Sequence, residues 1–355
     1  MDQDRISGGR RRAMLGAVAM AATMACGLAA QAGPAAAQSA SPSVTSSAAG
    51  HAGAAPAADY PSRPIKFLVP FPPGSGTDTS ARYFGKKISE MTGQPVVIEN
   101  RAGGNGFIAV QQVLSAPPDG YTIFIGSNST LSTNAALFKK LPYDPVGDFA
   151  PISALVKGPA LLIVPPDSPY KTLAEFIDAA RKAPGKLNYG AGSAGYQLMG
   201  ELFAERTGVR MQHVPYKGAS DAVTAVAAGN VDFSPVDISA AIELARNGKL
   251  RALAVASDAR SPQLPDVPTA VEAGAPGYTA YTWVAAMAPA QTPAPVLARL
   301  TELFVAIVQQ PETREFYARQ GQEVAPPGPD YLRTFQRDEI ALWKRIAEIA
   351  KVPLQ

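Results

Sequence analysis

From Tyr60 onward the chain alternates short apolar runs with longer stretches in which apolar residues recur every three or four positions. The runs IKFLV (65–69), PVVIE (95–99), YTIFIG (121–126) and ALLIV (160–164) are short, apolar and bounded by Pro or Gly. Such runs predict strands of a parallel sheet that is covered on both faces. Between the first two, Ala81, Phe84, Ile88 and Met91 fall on one helical face and Gly93 follows as a stop, which makes a strand–helix–strand unit.

The rhythm restarts after about residue 165. Thr172 and Glu175 form a T-x-x-E capping box, with Leu173, Phe176, Ile177 and Ala180 as the buried stripe behind it. A strand KLNY (186–189) follows, then a helix from near Tyr196 with Leu198, Met199, Leu202 and Phe203 inward, and strand candidates at 211–216, 231–236 and 250–256. Beyond Pro293 and Pro295, Val296, Leu297, Leu300, Leu303, Phe304, Ile307 and Val308 make one amphipathic stripe, and Phe335, Trp343, Ile346 and Ile349 suggest another. The predicted fold class is α/β with two lobes: 60–157 in the first, 158–280 in the second, and 281–355 returning to the first. A chain that crosses twice supplies the paired strands of a hinge.

A length of 355 residues with 46% hydrophobic content suffices for two cores. Charge is sparse: 17% of residues are charged and the net charge is +3, which leaves no electrostatic footprint for nucleic acid or an acidic membrane. Arg10, Arg11 and Arg12 precede the uncharged stretch 13–30, and Ala35-Ala36-Ala37 offers a cleavage site. Residues 1–37 are therefore an expected export signal, and a periplasmic location follows. The arginines fit either the general secretory or the twin-arginine route. Cys26, the one cysteine, lies inside that signal, so the mature chain has neither disulfide nor thiol nucleophile. Residues 38–59, an Ala/Ser/Pro/Gly tract, are expected to form a disordered tether.

The chemistry concentrates in two glycine-rich turns, PFPPGSGTD (70–78) and NYGAGSAGYQL (188–198), each between a strand and a helix. Glycines there let backbone approach a ligand, and the first unpaired amides of the helix favour an anion. Two enzyme-like alternatives use the second turn. Gly190, Gly192 and Gly195 match the G-x-G-x-x-G of nucleotide-binding proteins, but the strand that follows ends in Pro215-Tyr216-Lys217 with no carboxylate for a ribose. Ser193 sits in a near-match to a hydrolase nucleophile elbow. It lacks an obvious base, because the only histidines are His51 in the tether and His213 within a strand. Two isolated histidines and scattered carboxylates make no metal site either, and no cofactor is expected.

The stretches YPSRPIKFLVPFPPGSGTDTSAR, ENRAGGNG, the N-x-x-LF-x-x-LPYDP run ending at Pro145, HVPYKG, GKLRALAVAS, RSPQLPDVPT and WVAAMAP occur in order from Tyr60 onward. Together they resemble the Bug/TctC family, the periplasmic binding components of tripartite tricarboxylate transporters. The resemblance implies a type II periplasmic-binding fold, no enzymatic activity, a small organic carboxylate as ligand, membrane transporter subunits as partners, and a monomer. Carried onto this chain, the first-lobe clamp is Pro73, Gly74, Ser75, Gly76, Thr77 and Asp78, with Ser127, Asn128, Ser129 and Thr130 beside it. The second-lobe clamp is Gly192, Ser193, Ala194, Gly195, Tyr196 and Gln197, and Asp237 faces the cleft or caps the helix after it. The chain departs from the family at Leu131, where many members carry His, and in its shorter second clamp. Tyr196 and Trp283 then either line a more apolar pocket or belong to the core.

Overall fold

The computed structural model describes residues 59–355; the expected signal, and all of the expected tether except Asp59, lie outside the described residues. Strand β1 (Ile65–Val69) leads through helix α1 (Gly76–Thr92) to β2 (Val96–Asn100), and α2 (Phe107–Leu114) leads on to β3 (Thr122–Ser127). Both β2 and β3 pair parallel with β1. A π-helical turn at Ser129–Thr133 and the single-turn α3 (Asn134–Leu137) follow, then β4 (Phe149–Val164).

The second set comprises α4 (Leu173–Lys182), β5 (Asn188–Ala191), α5 (Ala194–Thr207), β6 (Gln212–Pro215), α6 (Ala219–Ala227), β7 (Ser234–Asp237), α7 (Ile238–Arg246) and β8 (Arg251–Val255). The chain then returns along β9 (Tyr281–Pro289) to α8 (Ala294–Val308), α9 (Pro311–Arg319), the two-residue β10 (Glu323–Val324) and α10 (Pro329–Ile349). Among the described residues, no helix is long and apolar enough to cross a membrane.

Strand β4 departs from the sequence expectation. ALLIV is not a separate parallel strand but the end of a 16-residue one. Its earlier residues pair antiparallel with β9, from Phe149 opposite Pro289 to Pro159 opposite Tyr281, and its last residues pair antiparallel with β7 and β8. Pro151, Gly158 and Pro159 interrupt the apolar pattern. The strand absorbs the irregularity through register shifts at Pro151/Ser153 and Ala154/Val156, as bulges do. Hence one long strand joins both halves of the molecule, with β9 beside it.

Strand periodicity divides the core. Phe67 packs on one sheet face with Phe84, Phe304 and Tyr317, while its neighbour Leu68 packs on the other with Phe124, Trp283 and Leu332. In the second half Leu162 joins Phe176, Phe203 and Phe233, whereas Leu161 and Ile163 join Val226, Ile238 and Ile242. This alternation follows from side chains pointing to opposite faces at successive positions. The α4 stripe is buried as expected, and its capping box is formed in both directions. Met91 and Ile349, expected inward, are 44% and 50% exposed because they lie in the last turns of their helices, past the sheet they cover. Helix α10 spans both halves: Leu332 packs in the first core, and Trp343, Ile346 and Ala347 pack in the second.

Candidate functional site

Four helix starts, those of α1, α5, α6 and α7, meet at one small cavity together with the turn after β3. Each comes within a short turn of a strand end, so the fold brings their unpaired amides toward a common point. Ser75, the N-cap of α1, accepts from the Asp78 amide at 3.2 Å. That leaves the Gly76 and Thr77 amides without an acceptor among the described residues. At α5 the Gly195 amide donates to Ser129 Oγ at 3.3 Å, and the Ala194 and Tyr196 amides have no acceptor among the described residues.

The two halves touch across this cavity. Ser129 Oγ donates to Ser193 Oγ at 2.8 Å. The Tyr196 hydroxyl donates to Asp237 Oδ2 at 2.7 Å; burial and the adjacent carboxylate raise the tyrosine pKa well above its ordinary value, which keeps the phenol a donor. Asp237 meets both expectations at once, since it lines the cavity and also caps α7 by accepting from the Ala240 amide at 3.1 Å. The cavity volume is about 20 Å³, room for roughly one water. Asn128 is 3% exposed and its Nδ2 has no partner among the described residues, an unmet donor that costs about 1–3 kcal/mol until something accepts from it.

Of the residues expected at the site, Ser75, Gly76, Thr77, Ser127, Asn128, Ser129, Ser193, Tyr196 and Asp237 line the cavity. The others are not part of the lining. Asp78 turns into its own lobe and accepts from the Gly74 amide at 3.0 Å, Arg82 Nε at 3.0 Å and Asn100 Nδ2 at 2.9 Å. Burial alone would raise its pKa, but these donors outweigh it and hold the carboxyl below its usual range. The Pro73 carbonyl accepts from Ser220 Oγ at 3.5 Å, and the Thr130 hydroxyl bonds within its turn to Ser127. Gln197 points outward to Gln355. Gly192 does not open toward a ligand: a Cβ there would lie 2.1 Å from the Gly218 carbonyl carbon. Gly195 does face the opposite half, where a Cβ would lie 2.7 Å from Asn128 Nδ2 and 2.8 Å from Ser129 Oγ.

Phe71, from the first glycine-rich turn, also lines the cavity, as do Ala219, Thr282, Val284 and Gln322, which had no sequence signal as site residues. Trp283 lines it too, while its indole nitrogen donates to Glu339 at 2.9 Å. Leu131 is fully buried in the first core. Neither Lys, Arg nor His is part of the lining.

The family described as the tripartite tricarboxylate transporter family receptor, TctC, matches residues 80–352. The chain belongs to this family. A UPF0065 protein from the tcbD–tcbE intergenic region of Pseudomonas sp. strain P51 is 37% identical over 290 residues, covering 81% of this chain and 86% of that protein. Protein BugT of Bordetella pertussis is 36% identical over 298 residues, covering 83% and 91%. Among solved structures, Rpa4515 of R. palustris with adipate matches with a TM-score of 0.81 and 34% identity, over 84% of this chain and 100% of that one. MatC of Rhodopseudomonas palustris with bound malate matches with a TM-score of 0.77 and 34% identity, over 81% and 99%.

The family consists of periplasmic solute-binding receptors rather than enzymes, and the second turn agrees with that in its geometry. Ser193 Oγ is engaged by Ser129, not by a base. His213 stacks on Tyr189 with ring centres 5.2 Å apart, away from the cavity lining, and burial lowers its pKa. The three glycines of the nucleotide-like pattern lie against Tyr216, the Gly218 backbone and Asn128, so protein atoms occupy the space over each.

Proposed function

We propose that the protein is a periplasmic receptor that closes its two lobes on a small organic carboxylate, held by neutral donors, and delivers it to the membrane subunits of a tripartite tricarboxylate-type transporter. The observation that carries this reading is the unpartnered Asn128 Nδ2, buried at a cavity where open amides of α1 and α5 meet and no cation lies. A carboxylate can accept from such donors, as anions at helix starts do. The relatives solved with adipate and malate support the ligand class. A cavity of about 20 Å³ is too small for such an acid, so binding requires the lobes to part and close again. The moving bodies in this proposal are 60–157 with 281–355, and 158–280, bridged by the end of α10, which packs in the second core.

A melting series tests the reading. Ligand at a hundred times its Kd adds about 2.7 kcal/mol of stability, so a panel of short carboxylates should contain one that raises Tm while its primary amide does not. Asn128→Ala should remove that shift and leave the ligand-free Tm unchanged or higher, because the lost donor had no partner. An amide that stabilises as well as its acid, or an unaltered shift in Asn128→Ala, refutes the carboxylate reading.

A further inference from the structure

Among the described residues, Asp237 is the one carboxylate in the cavity lining. Its Oδ1 accepts from the Ala240 amide at 3.1 Å and from the Ser239 hydroxyl, and its Oδ2 accepts from the Tyr196 hydroxyl at 2.7 Å. A carboxylate oxygen accepts about two hydrogen bonds, which leaves Oδ2 with one place for a further donor. None of the bonds already made comes from a cation, and no cation lines the cavity. The acid also packs against the start of α1, where a Cβ on Gly76 would lie 2.9 Å from Oδ1. The protein's own negative charge therefore sits beside the helix end that would otherwise draw a ligand anion. On the lining, Asn128 Nδ2 is buried, and neither it nor the Tyr196 amide has a partner among the described residues; nor has the Ala194 amide in the same helix start. The lining thus combines open donors, at Asn128 and the helix starts, with one carboxylate oxygen on Asp237 that can still accept.

We infer that the ligand is heteropolar, a single ionised carboxylate joined to a hydroxyl or amino group, and that Asp237 discriminates against a second ionised carboxylate. The inference rests on the carboxylate-receptor reading and narrows it. The carboxylate lies against Asn128 and the start of α5, and the hydroxyl or amino group donates to Asp237 Oδ2. A dicarboxylate of the same length would set its far anion beside a buried acid that has no counter-ion among the described residues, and like charges so placed repel strongly.

Calorimetry on matched straight-chain acids tests this, the far end being methyl, hydroxyl, ammonium or carboxylate. For the unaltered protein the hydroxyl or ammonium acid should bind at least ~10-fold more tightly than the dicarboxylate. Asp237→Asn, which retains a good N-cap, should shift that ratio toward the dicarboxylate by ~10-fold or more. Asp237→Ser, another capping residue without charge, should shift it in the same direction and serves if the Asn variant does not fold. A dicarboxylate that binds the unaltered protein as tightly as the hydroxy acid overturns the inference, as does a ratio that neither variant moves. In both cases the methyl-terminated acid still binds and the receptor reading stands. If no acid in the series binds, including the methyl-terminated one, both fail.

Discussion

Gly192 and Gly195 stand three positions apart in one turn, yet replacing each with alanine should give opposite results. A Cβ on Gly192 would meet main-chain atoms: Gly218 C at 2.1 Å, Gly218 O at 2.2 Å and Ala219 N at 2.6 Å. Those atoms belong to the start of α6 within the same set of strands and helices, so the clash persists whether the lobes are open or closed. Overpacking against atoms that cannot rotate away costs about 1–3 kcal/mol or more. With an unfolding entropy near 2.1 cal/mol/K per residue over the described chain, that is a fall of roughly 2–5 °C in Tm. A Cβ on Gly195 would instead meet Asn128 Nδ2 and Ser129 Oγ of the opposite half, at 2.7 and 2.8 Å. Separating the lobes relieves that contact, and alanine in a helix is favoured over glycine by up to about 1 kcal/mol. Gly195→Ala should therefore keep or slightly raise the ligand-free Tm while losing most of the ligand-induced rise. Differential scanning calorimetry with and without a stabilising carboxylate measures both quantities. The reasoning fails if Gly192→Ala melts with the unaltered protein, or if Gly195→Ala keeps its full ligand response.

Asp78→Asn should flatten the acid side of the stability profile. The folded pKa of Asp78 is lowered, so its contribution is present above the unfolded carboxyl pKa and is lost as pH falls through the folded value; urea midpoints from pH 6 down to pH 2 should fall less steeply in the variant, and parallel profiles would count against the bracing role. Ser193→Ala removes one neutral hydrogen bond across the cavity, so it should weaken ligand affinity by no more than about tenfold and abolish no ester turnover; an esterase activity that vanished with it would reopen the hydrolase reading.

Local pattern was enough to find most elements. The stripe and capping box of α4, the inward residues of α5 and the glycine stop of α1 depend on neighbours within one or two turns, and the sequence contains all of those neighbours in order. The two glycine-rich turns were legible for the same reason, because a strand end followed by a helix start fixes where open amides fall.

What the sequence could not assign depends on distant pairing. The full length of β4 was hidden because prolines and glycine break its pattern, and only β9, more than a hundred residues later, supplies the partner that holds it extended. Gly192 and Gly195 look alike in one dimension, but one lies under the Gly218 backbone and the other faces Asn128. Asp78 sits in the clamp sequence yet finds its donors on Arg82 and Asn100 and turns away from the cavity. Asp237 was legible as a cap, but its bond to Tyr196, 41 residues earlier, exists only because α5 and α7 start side by side. The Ser129–Ser193 contact across the two halves, 64 residues apart, has no sequence pattern at all. Periodicity records which face of an element is buried; which side chains from separate elements meet is fixed by packing the elements together, and the site is made of those meetings.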